Sequence, residues 1–471
     1  MDAVVLAAGA GTRFRRTAAS CPKPLHRLFG ISLVERALRI ARQAGCRRVW
    51  VVTGWQAEEV ERAIRASGRP WVEVVRADHW AWGNGASLLA VRGRVDGPFL
   101  LLMADHVMDP QLARQAVAAA EARRDELAAG GAMLLVDPRL EQVFDLPEAT
   151  KVRTSAGGTR IEAIGKDLDA FDAVDTGVFI GSPGLLDELA ALADAAAAQA
   201  AAGEGTGVEP VTLTAGARRL AEKGRLGAVR VTDGWWVDVD DAAALDHARQ
   251  RLLAHAAASG GDGPIARWLN RRLSRPLSAL LAQAGVGPNG ATLMAFASVL
   301  AGAAAFAAGA PVLGGILCQL GSVLDGCDGE LARLRLEAQP RGAFLDTVLD
   351  RYADAVVVAG LAAGALGAGA AWPTTAAAAL AAMAGLPLSA LMKDRLQLLR
   401  EAAGRRFDPL RDDPPWLRWV PGNRDGRYFL VFLAGLAGAP LAALVLLATV
   451  SHALALGRLI HAWRHLGGED R

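Results

Sequence analysis

The sequence predicts two domains of different fold class, an α/β domain followed by an all-α domain that crosses a membrane. The chain has 471 residues, too many for one typical domain of roughly 100 to 200 residues. Charged residues are dense as far as about residue 280, whereas long apolar runs separated by short Arg-rich loops follow Gly287. This change of composition indicates a soluble part followed by a membrane part.

Composition excludes several classes of function. The formal net charge is only +2, so the chain is predicted to have no nucleic-acid partner. The four cysteines, at positions 21, 46, 318 and 327, lack the spacing of a zinc site or a disulfide framework. The first residues lack a basic segment and run straight into a glycine-rich turn, so they are predicted to form a buried strand and not a signal peptide.

The first domain is predicted to cover residues 1–253. Short β-branched runs at 4–6, 49–53, 99–103 and 177–180 alternate with amphipathic helical stretches, the pattern of βαβ units. We therefore expect a mostly parallel sheet covered by helices. Ligands of such sheets bind beyond the carboxyl ends of the strands.

A linker and an amphipathic helix are predicted to join the two domains. Residues 254–263 are mostly small and are interpreted as the linker, and residues 264–286 interleave Arg with Trp268 and several Leu. This mixture is typical of a helix that lies on an anionic membrane surface. A solvated surface helix is the alternative.

The second domain, 287–471, is predicted to contain about six transmembrane helices. Apolar segments lie near 290–309, 311–324, 353–371, 373–392, 428–439 and 441–457. Some are shorter than the about 20 residues that a span needs, which is explained if the second and third helices continue into polar residues. Because alternate loops are rich in Arg, the positive-inside rule places the first domain and the C-terminus in the cytoplasm of a multi-pass inner-membrane protein.

A glycine-rich loop and two cations begin the first domain. The run Leu6 to Arg13 reads LAAGAGTR, and Lys23 follows between two prolines. Backbone N–H groups of such a loop can wrap a triphosphate, while Arg13 and Lys23 neutralise the charge that grows on departing pyrophosphate. Asn84 and Ser87 suit a loop that reads base and ribose, and Asp105 and Asp238 suit magnesium ligands.

The order of these motifs resembles sugar nucleotidyltransferases of the GT-A-like (Rossmann-type) fold. Lys151, Lys166 and Asp175 lie in further motifs that look specifically like those of inositol-1-phosphate cytidylyltransferases. The resemblance implies that these three residues hold the acceptor substrate and that the loop residues bind the nucleotide. The loop residues are Ala8, Gly9, Gly11 and Thr12. Taken singly, Lys151 and Lys166 could be solvated lysines, and Asn84 and Asp175 could cap turns.

Four aspartates give the strongest signal in the second domain. Asp325 and Asp328 are three residues apart, and Asp346 and Asp350 are four apart, so each pair projects from one helix face. Four carboxylates at a membrane boundary repel one another unless divalent cations lie between them. The sequence therefore predicts a metal site, the alternative being that the acids only cap helices.

This run matches the pattern D-x2-D-G-x2-A-R-x8-G-x3-D-x3-D and is identified as that of the CDP-alcohol phosphatidyltransferases. The resemblance implies that the four aspartates bind one or two metal ions and that Asp350 also deprotonates the incoming hydroxyl. Gly329, Gly342 and Arg333 would receive the nucleotide, with Asn289 near the cytidine unless it only caps a helix. Arg424 and Arg427 are expected to bind the phosphate of a charged acceptor, positive-inside anchoring being the alternative.

The fusion of both domains in this order resembles bifunctional inositol-1-phosphate cytidylyltransferase and di-myo-inositol-phosphate-phosphate synthases. The resemblance implies CTP, inositol 1-phosphate and CDP-inositol as substrates, Mg²⁺ or Mn²⁺ in both domains, contact with membrane lipids, and a homodimer through the membrane domain. Three alternatives remain: another alcohol phosphate is activated; a lipid is the acceptor; or the first domain is a degenerate nucleotide sensor. A transporter or scaffold is disfavoured by the four aspartates.

Overall fold

The computed structural model describes residues 1–17, 21–201, 210–257, 265–402, 412–413, 415–417 and 420–466. These residues divide into two compact units, Met1–Arg251 and Leu252–Arg471. Most of the predicted linker, 258–263, and the first residue of the predicted amphipathic helix, 264, lie outside the described part of the chain.

The first unit is built on a nine-stranded sheet. Its central strand β1 (Asp2–Ala7) is buried throughout its apolar run, as expected of a strand covered on both faces. The other eight strands of this sheet are β4 (Val49–Thr53), β5 (Val72–Arg76), β6 (Phe99–Met103), β8 (Ala132–Asp137), β9 (Lys151–Thr154), β10 (Ile161–Gly165), β11 (Ala173–Gly181) and β12 (Leu226–Arg230). Two separate two-stranded sheets pair β2 (Arg27–Leu28) with β3 (Ile31–Ser32) and β7 (His106–Met108) with β13 (Trp236–Asp238).

The sheet is parallel in one half and mixed in the other. Along the order β10-β9-β11-β6-β1-β4-β5, the strands from β6 to β5 are parallel. Strand β11 runs antiparallel to β6, β8 and β9, so the prediction of a mostly parallel sheet holds only on the β1 side. The antiparallel direction of β11 could not be predicted, because a fully buried apolar strand has the same residue pattern in a parallel and in an antiparallel pair.

Helices cover the sheet. Helix α2 begins where the Ser32 hydroxyl accepts a hydrogen bond from Glu35 N, and it buries its apolar stripe, including Leu33, Leu38 and Ile40. The α-helices of this unit are α1 (Thr12–Thr17), α2 (Leu33–Gln43), α3 (Ala57–Ala66), α4 (Asn84–Leu88), α5 (Pro110–Ala122), α6 (Arg124–Ala128), α7 (Pro183–Ala201), α8 (Leu213–Glu222) and α9 (Ala242–Ala257), the last of which runs into the second unit.

The second unit is helical. Its helical elements are a π-helical turn (Ala266–Asn270), α10 (Arg271–Gln283), α11 (Pro288–Ala307), α12 (Pro311–Leu334), α13 (Pro340–Gly367), α14 (Trp372–Ala402), α15 (Arg424–Leu436) and α16 (Pro440–Leu466). Helices α11, α12, α13 and α16 begin at Pro, whose fixed φ and missing N–H suit the first helical position. A Cβ on Gly360 of α13 would lie 2.4 Å from the Ala303 carbonyl oxygen of α11, so glycine permits this close helix contact.

Three helices in the described part of the chain are long and apolar enough to cross a membrane: Pro288–Ala307, Trp372–Leu399 and Pro440–Arg464. The prediction of about six spans is therefore supported for three. The other predicted segments are also helical, but α12 and α13 carry the aspartates and α15 has only 13 residues.

Candidate active sites

The glycine-rich loop of the first unit leads from β1 to α1, and Lys23 lies beside it. The Lys23 side chain is 6% exposed, and its Nζ donates 2.8 Å hydrogen bonds to Asp105 Oδ2 and Asp240 Oδ1. Asp238 Oδ1 lies 3.8 Å from the same nitrogen. Burial lowers the pKa of Lys23, but the three carboxylates outweigh it and raise that pKa well above its usual value. Lys23 is thus a permanent cation among acids.

Asp105, His106 and Asp238 form a cluster in which one ligand atom from each lies within 4.8 Å of the others. Strand β13 pairs with β7 in a register that sets Asp238 opposite His106. His106 Nδ1 lies 3.1 Å from Asp105 Oδ1, and its ring stacks on Trp236. Burial raises the pKa of Asp238 to about 6 against the opposing charge of His106.

This cluster fits a magnesium or manganese ion. Asp238 Oδ1 is buried and has no hydrogen-bond partner among the described residues, which leaves an acceptor for a cation. Carboxylate oxygens suit Mg²⁺ and Mn²⁺, whereas imidazole prefers other metals. Asp105 and Asp238 are therefore the candidate ligands, and His106 holds Asp105.

A 260 Å³ cavity lies beside the cluster, and its wall includes Arg13, Asn84, Lys166, Asp175 and Asp238. Charged residues of this cavity form ion pairs with one another and with neighbouring acids. Arg13 bridges Asp240 Oδ2 (2.7 Å) and Glu148 Oε2 (3.5 Å), and Lys166 Nζ lies 3.3 Å from Glu148 Oε2. Burial raises the pKa of Asp175 to about 6.

The remaining predicted residues have local roles. Lys151 Nζ donates to the carbonyl oxygens of Pro147 and Lys166 at 3.0 and 2.7 Å, so it braces the cavity wall. Asn84 Oδ1 accepts from Leu213 N at 2.8 Å, and the Ser87 hydroxyl donates to Gly83 O at 3.0 Å. Ala8, Gly9 and Gly11 form the loop, and Thr12 begins α1.

Sequence reasoning gave no role to His106, Asp240 or Glu148. His106 directly follows Asp105, and Asp240 lies in the same acidic run as Asp238. Nearness in sequence was therefore an available signal for both. Glu148 also lies near a predicted residue, three positions before Lys151, but its pairing with the distant Arg13 and Lys166 had no signal in the sequence.

In the second unit, Asp325, Asp328 and Asp346 each place one carboxylate oxygen within 4.8 Å of the others. Thr292 donates a 2.8 Å hydrogen bond to Asp328 Oδ2. Asp346 Oδ1 is buried and has no hydrogen-bond partner among the described residues. Three carboxylates with an available oxygen form a donor set that fits Mg²⁺ or Mn²⁺.

Arg424 connects the fourth aspartate to this cluster. Its guanidinium NH1 contacts both Asp325 Oδ1 and Asp350 Oδ1, and it lies over the ring of Tyr428 at 5.3 Å. Arg427 has a different environment: it is 5% exposed and lies 3.8 Å from Asp354 Oδ2. The two arginines predicted to act together therefore contact different acids.

A 690 Å³ cavity opens beside the aspartates, and its wall includes Asn289, Asp328, Gly329, Arg333 and Gly342. A Cβ on Gly342 would lie 3.1 Å from Asn289 Oδ1, and one on Gly329 would lie 3.2 Å from Arg333 NH1. The structure thus brings the four residues predicted to receive the nucleotide in this unit to one cavity, together with Asp328 and Asp346 of the predicted metal site.

Comparison with known proteins identifies both domains. A MobA-like NTP transferase domain matches residues 3–144, and a CDP-alcohol phosphatidyltransferase domain matches residues 286–409. A Rubrobacter xylanophilus protein named bifunctional IPC transferase and DIPP synthase is 37% identical over 464 residues, which cover 98% of this chain and 96% of its own. A protein of the same name from Archaeoglobus fulgidus is 32% identical over 439 residues, covering 93% of this chain and 79% of its own.

Among solved structures, the inositol-1-phosphate CTP transferase from T. maritima is 22% identical and has a TM-score of 0.42, covering 53% of this chain and 95% of that one. The match to the two curated relatives covers nearly the whole chain and therefore extends over both units. The chain therefore belongs to the family of bifunctional IPC transferases and DIPP synthases, enzymes with a nucleotidyltransferase domain and a CDP-alcohol phosphotransferase domain.

Proposed function

We propose that the first unit makes CDP-inositol from CTP and inositol 1-phosphate, and that the second unit consumes it. In the second step, phosphoinositol passes to a hydroxyl of another inositol 1-phosphate and CMP is released. The observation that carries this proposal is the similarity, over nearly the full chain, to relatives named for both activities. The two acidic clusters supply one candidate centre for each step.

In the first step, a phosphate oxygen of inositol 1-phosphate attacks the α-phosphorus of CTP, and the bond to pyrophosphate breaks. The glycine-rich loop and Arg13 bind the triphosphate, and the Lys23 ammonium offsets charge on the departing pyrophosphate. Asn84 and Ser87 shape the loop that receives the nucleoside. Lys166 and Asp175 face the cavity beside this centre and hold the inositol phosphate, with Lys151 bracing Lys166.

In the second step, the acceptor hydroxyl attacks the inositol-bearing phosphorus of CDP-inositol, and the bond to CMP breaks. Asp350 takes the hydroxyl proton. Asn289, Gly329, Arg333 and Gly342 receive the CDP group in the 690 Å³ cavity. Arg424 lies between Asp325 and Asp350. It is better placed than Arg427 to bind the acceptor phosphate, because Arg427 is buried and pairs with Asp354.

Divalent cations would be held by Asp105 and Asp238 in the first unit and by Asp325, Asp328 and Asp346 in the second. When bound, such ions stabilise negative charge on the entering and leaving oxygens of an in-line displacement at phosphorus.

We further propose that the second unit crosses the inner membrane six times, with the first unit and the C-terminus in the cytoplasm. Helices α12 and α13 would cross with their acidic ends at the cytoplasmic surface, which explains why their composition is less apolar than that of the three long spans. Trp268, Trp372 and Trp463 are between 62% and 81% exposed, as is typical of aromatic side chains at membrane surfaces. A homodimer through this unit remains a prediction.

Two separate assays on full-length protein test the two steps. Pyrophosphate release from CTP and inositol 1-phosphate should be lost in Asp105→Asn and retained in Asp350→Asn. CMP release from supplied CDP-inositol should show the reverse pattern. If CMP release needs an added lipid and the product partitions into organic solvent, the acceptor is a lipid and the inositol phosphate assignment is wrong. If the first unit is only a nucleotide sensor, no variant will release pyrophosphate.

A further inference from the structure

Helix α10 and the turn before it present a polar stripe to α12. Asn270, Ser274 and Ser278 are spaced four residues apart and are all buried, whereas Trp268, Leu273 and Leu280 on the same segment are exposed. Residues four apart lie on one helix face. The segment therefore turns a stripe of uncharged polar side chains toward the protein, while its exposed side carries these apolar residues together with Arg267, Arg272 and Arg275.

Each buried polar group of the stripe has a partner on α12. Asn270 Nδ2 donates to Ser322 Oγ at 3.1 Å, and Asn270 Oδ1 accepts from Gln319 Nε2 at 2.9 Å. These two bonds tie the start of the segment to α12 at positions three and six residues before the first aspartate.

Glu330 of α12 is the centre of the contact, with only 1% of its surface exposed. Its carboxylate accepts from Arg271 NH1 at 2.8 Å, Ser274 Oγ at 2.7 Å and Ser278 Oγ at 2.6 Å. Arg271 NH1 also donates to the Gly326 carbonyl at 3.2 Å. We name these residues the α10–α12 seam: Asn270, Arg271, Ser274 and Ser278 with Gln319, Ser322 and Glu330.

The seam holds α12 on a different face from the one that carries the metal cluster. At 3.6 residues per turn, Gln319, Ser322 and Glu330 fall within about a quarter of a turn of one another. Asp328 falls roughly half a turn from this face, and Asp325 falls roughly a third of a turn from it. Apolar contacts tolerate small rotations of a helix, but buried hydrogen bonds are directional and costly to break. The seam therefore fixes the rotation of α12 about its axis.

We propose that the α10–α12 seam is a positioning device for the metal site, because it sets the rotation at which α12 presents Asp325 and Asp328 toward Asp346. Glu330 is accordingly a positioning residue that acts through these aspartates. The inference rests on the metal site of the proposed function. A buried ion pair is weak evidence for stability, and in some proteins such a pair specifies geometry instead, which is consistent with this role.

Manganese binding tests the inference without relying on turnover. The experiment uses full-length detergent-solubilised protein carrying Asp105→Asn and Asp238→Asn, so that the second unit supplies the metal site. Bound Mn²⁺ is measured from the loss of the electron paramagnetic resonance signal of free Mn²⁺. Glu330→Ala should raise the dissociation constant at least fivefold. Glu330→Gln keeps an acceptor for both serines and loses only the charge, so an intermediate value is expected.

The matched control is Asp413→Asn. Asp413 and Arg458 form another buried ion pair of the second unit, with hydrogen bonds of 2.9 and 2.8 Å, and its loss should leave Mn²⁺ affinity within twofold. Unchanged affinity in Glu330→Ala, or an equal loss in Asp413→Asn, would overturn the positioning role. Asp328→Asn separates the two proposals: if it does not weaken Mn²⁺ binding, the metal site itself is wrong and the inference falls with it.

Discussion

Lys23 donates a 2.8 Å hydrogen bond to Asp105 across 82 residues of sequence. This pair joins the segment that follows α1 to the turn between β6 and β7, and it places a cation within the acidic cluster of the first unit. Because Lys23 is buried, its removal leaves acidic side chains without their partner.

Lys23→Met should therefore damage both stability and the first step. We expect a loss of about 3 kcal/mol, typical of breaking a buried pair, and a fall of about 100-fold or more in pyrophosphate release. Differential scanning fluorimetry and a pyrophosphate assay measure the two effects. Arg92→Met is the control, because Arg92 forms an exposed 3.0 Å pair with Asp187 and should change stability by less than about 1 kcal/mol. Wild-type pyrophosphate release in Lys23→Met would contradict its role.

Asp175 predicts a pH dependence for binding of the alcohol phosphate. Burial raises its pKa to about 6, so its carboxylate becomes protonated as pH falls through 6 and ceases to accept hydrogen bonds from inositol hydroxyls. The KM for inositol 1-phosphate should rise about tenfold between pH 7 and pH 5. In Asp175→Asn, which has no charge to lose, only the titration of the substrate phosphate should remain. Identical pH profiles for the two proteins would exclude this role.

Arg424 and Arg427 should differ in their kinetic effects. Arg424→Gln should raise the KM for the acceptor in the CMP-releasing step at least tenfold, because its guanidinium lies at the reacting aspartates. Arg427→Gln should leave that KM within threefold but lower the melting temperature, since it removes a buried partner of Asp354. If both variants raise the KM equally, the arginines act as a pair, as the sequence alone suggested.

Gly342 predicts a steric effect on nucleotide binding. A Cβ at this position would lie 3.1 Å from Asn289 Oδ1, so Gly342→Ala should push Asn289 into the cavity and raise the KM for CDP-inositol three- to tenfold. Gly367 belongs to the same helix and has no atom within 4 Å of such a Cβ. Gly367→Ala should therefore behave as wild type. An unchanged KM in Gly342→Ala would remove Gly342 and Asn289 from the nucleotide site.

Much of this arrangement could be predicted from sequence because it depends on short-range geometry. The spacing of Asp325, Asp328 and Asp346 within two helices sets their common site, and the loop after β1 follows from the strand that precedes it. Long-range pairings could not be predicted. Asp238 lies opposite His106 only through the register of two three-residue strands, and Arg424 reaches Asp325 across 99 residues. The inward polar face of α10 was also hidden, since an amphipathic pattern does not say which face meets water, lipid or protein.

The central claim is that two separate centres share one intermediate, and complementation between two inactive variants tests it most directly. Asp105→Asn and Asp350→Asn are purified separately and then mixed with CTP, Mg²⁺ and inositol 1-phosphate, and the products are followed by phosphorus NMR. We predict that Asp350→Asn alone accumulates CDP-inositol, that Asp105→Asn alone makes no product, and that the mixture releases CMP and forms the phosphodiester. Failure of the mixture to form the phosphodiester, while Asp350→Asn makes CDP-inositol and Asp105→Asn turns over supplied CDP-inositol, would contradict a freely shared intermediate. Absence of CDP-inositol from Asp350→Asn would contradict the first step itself.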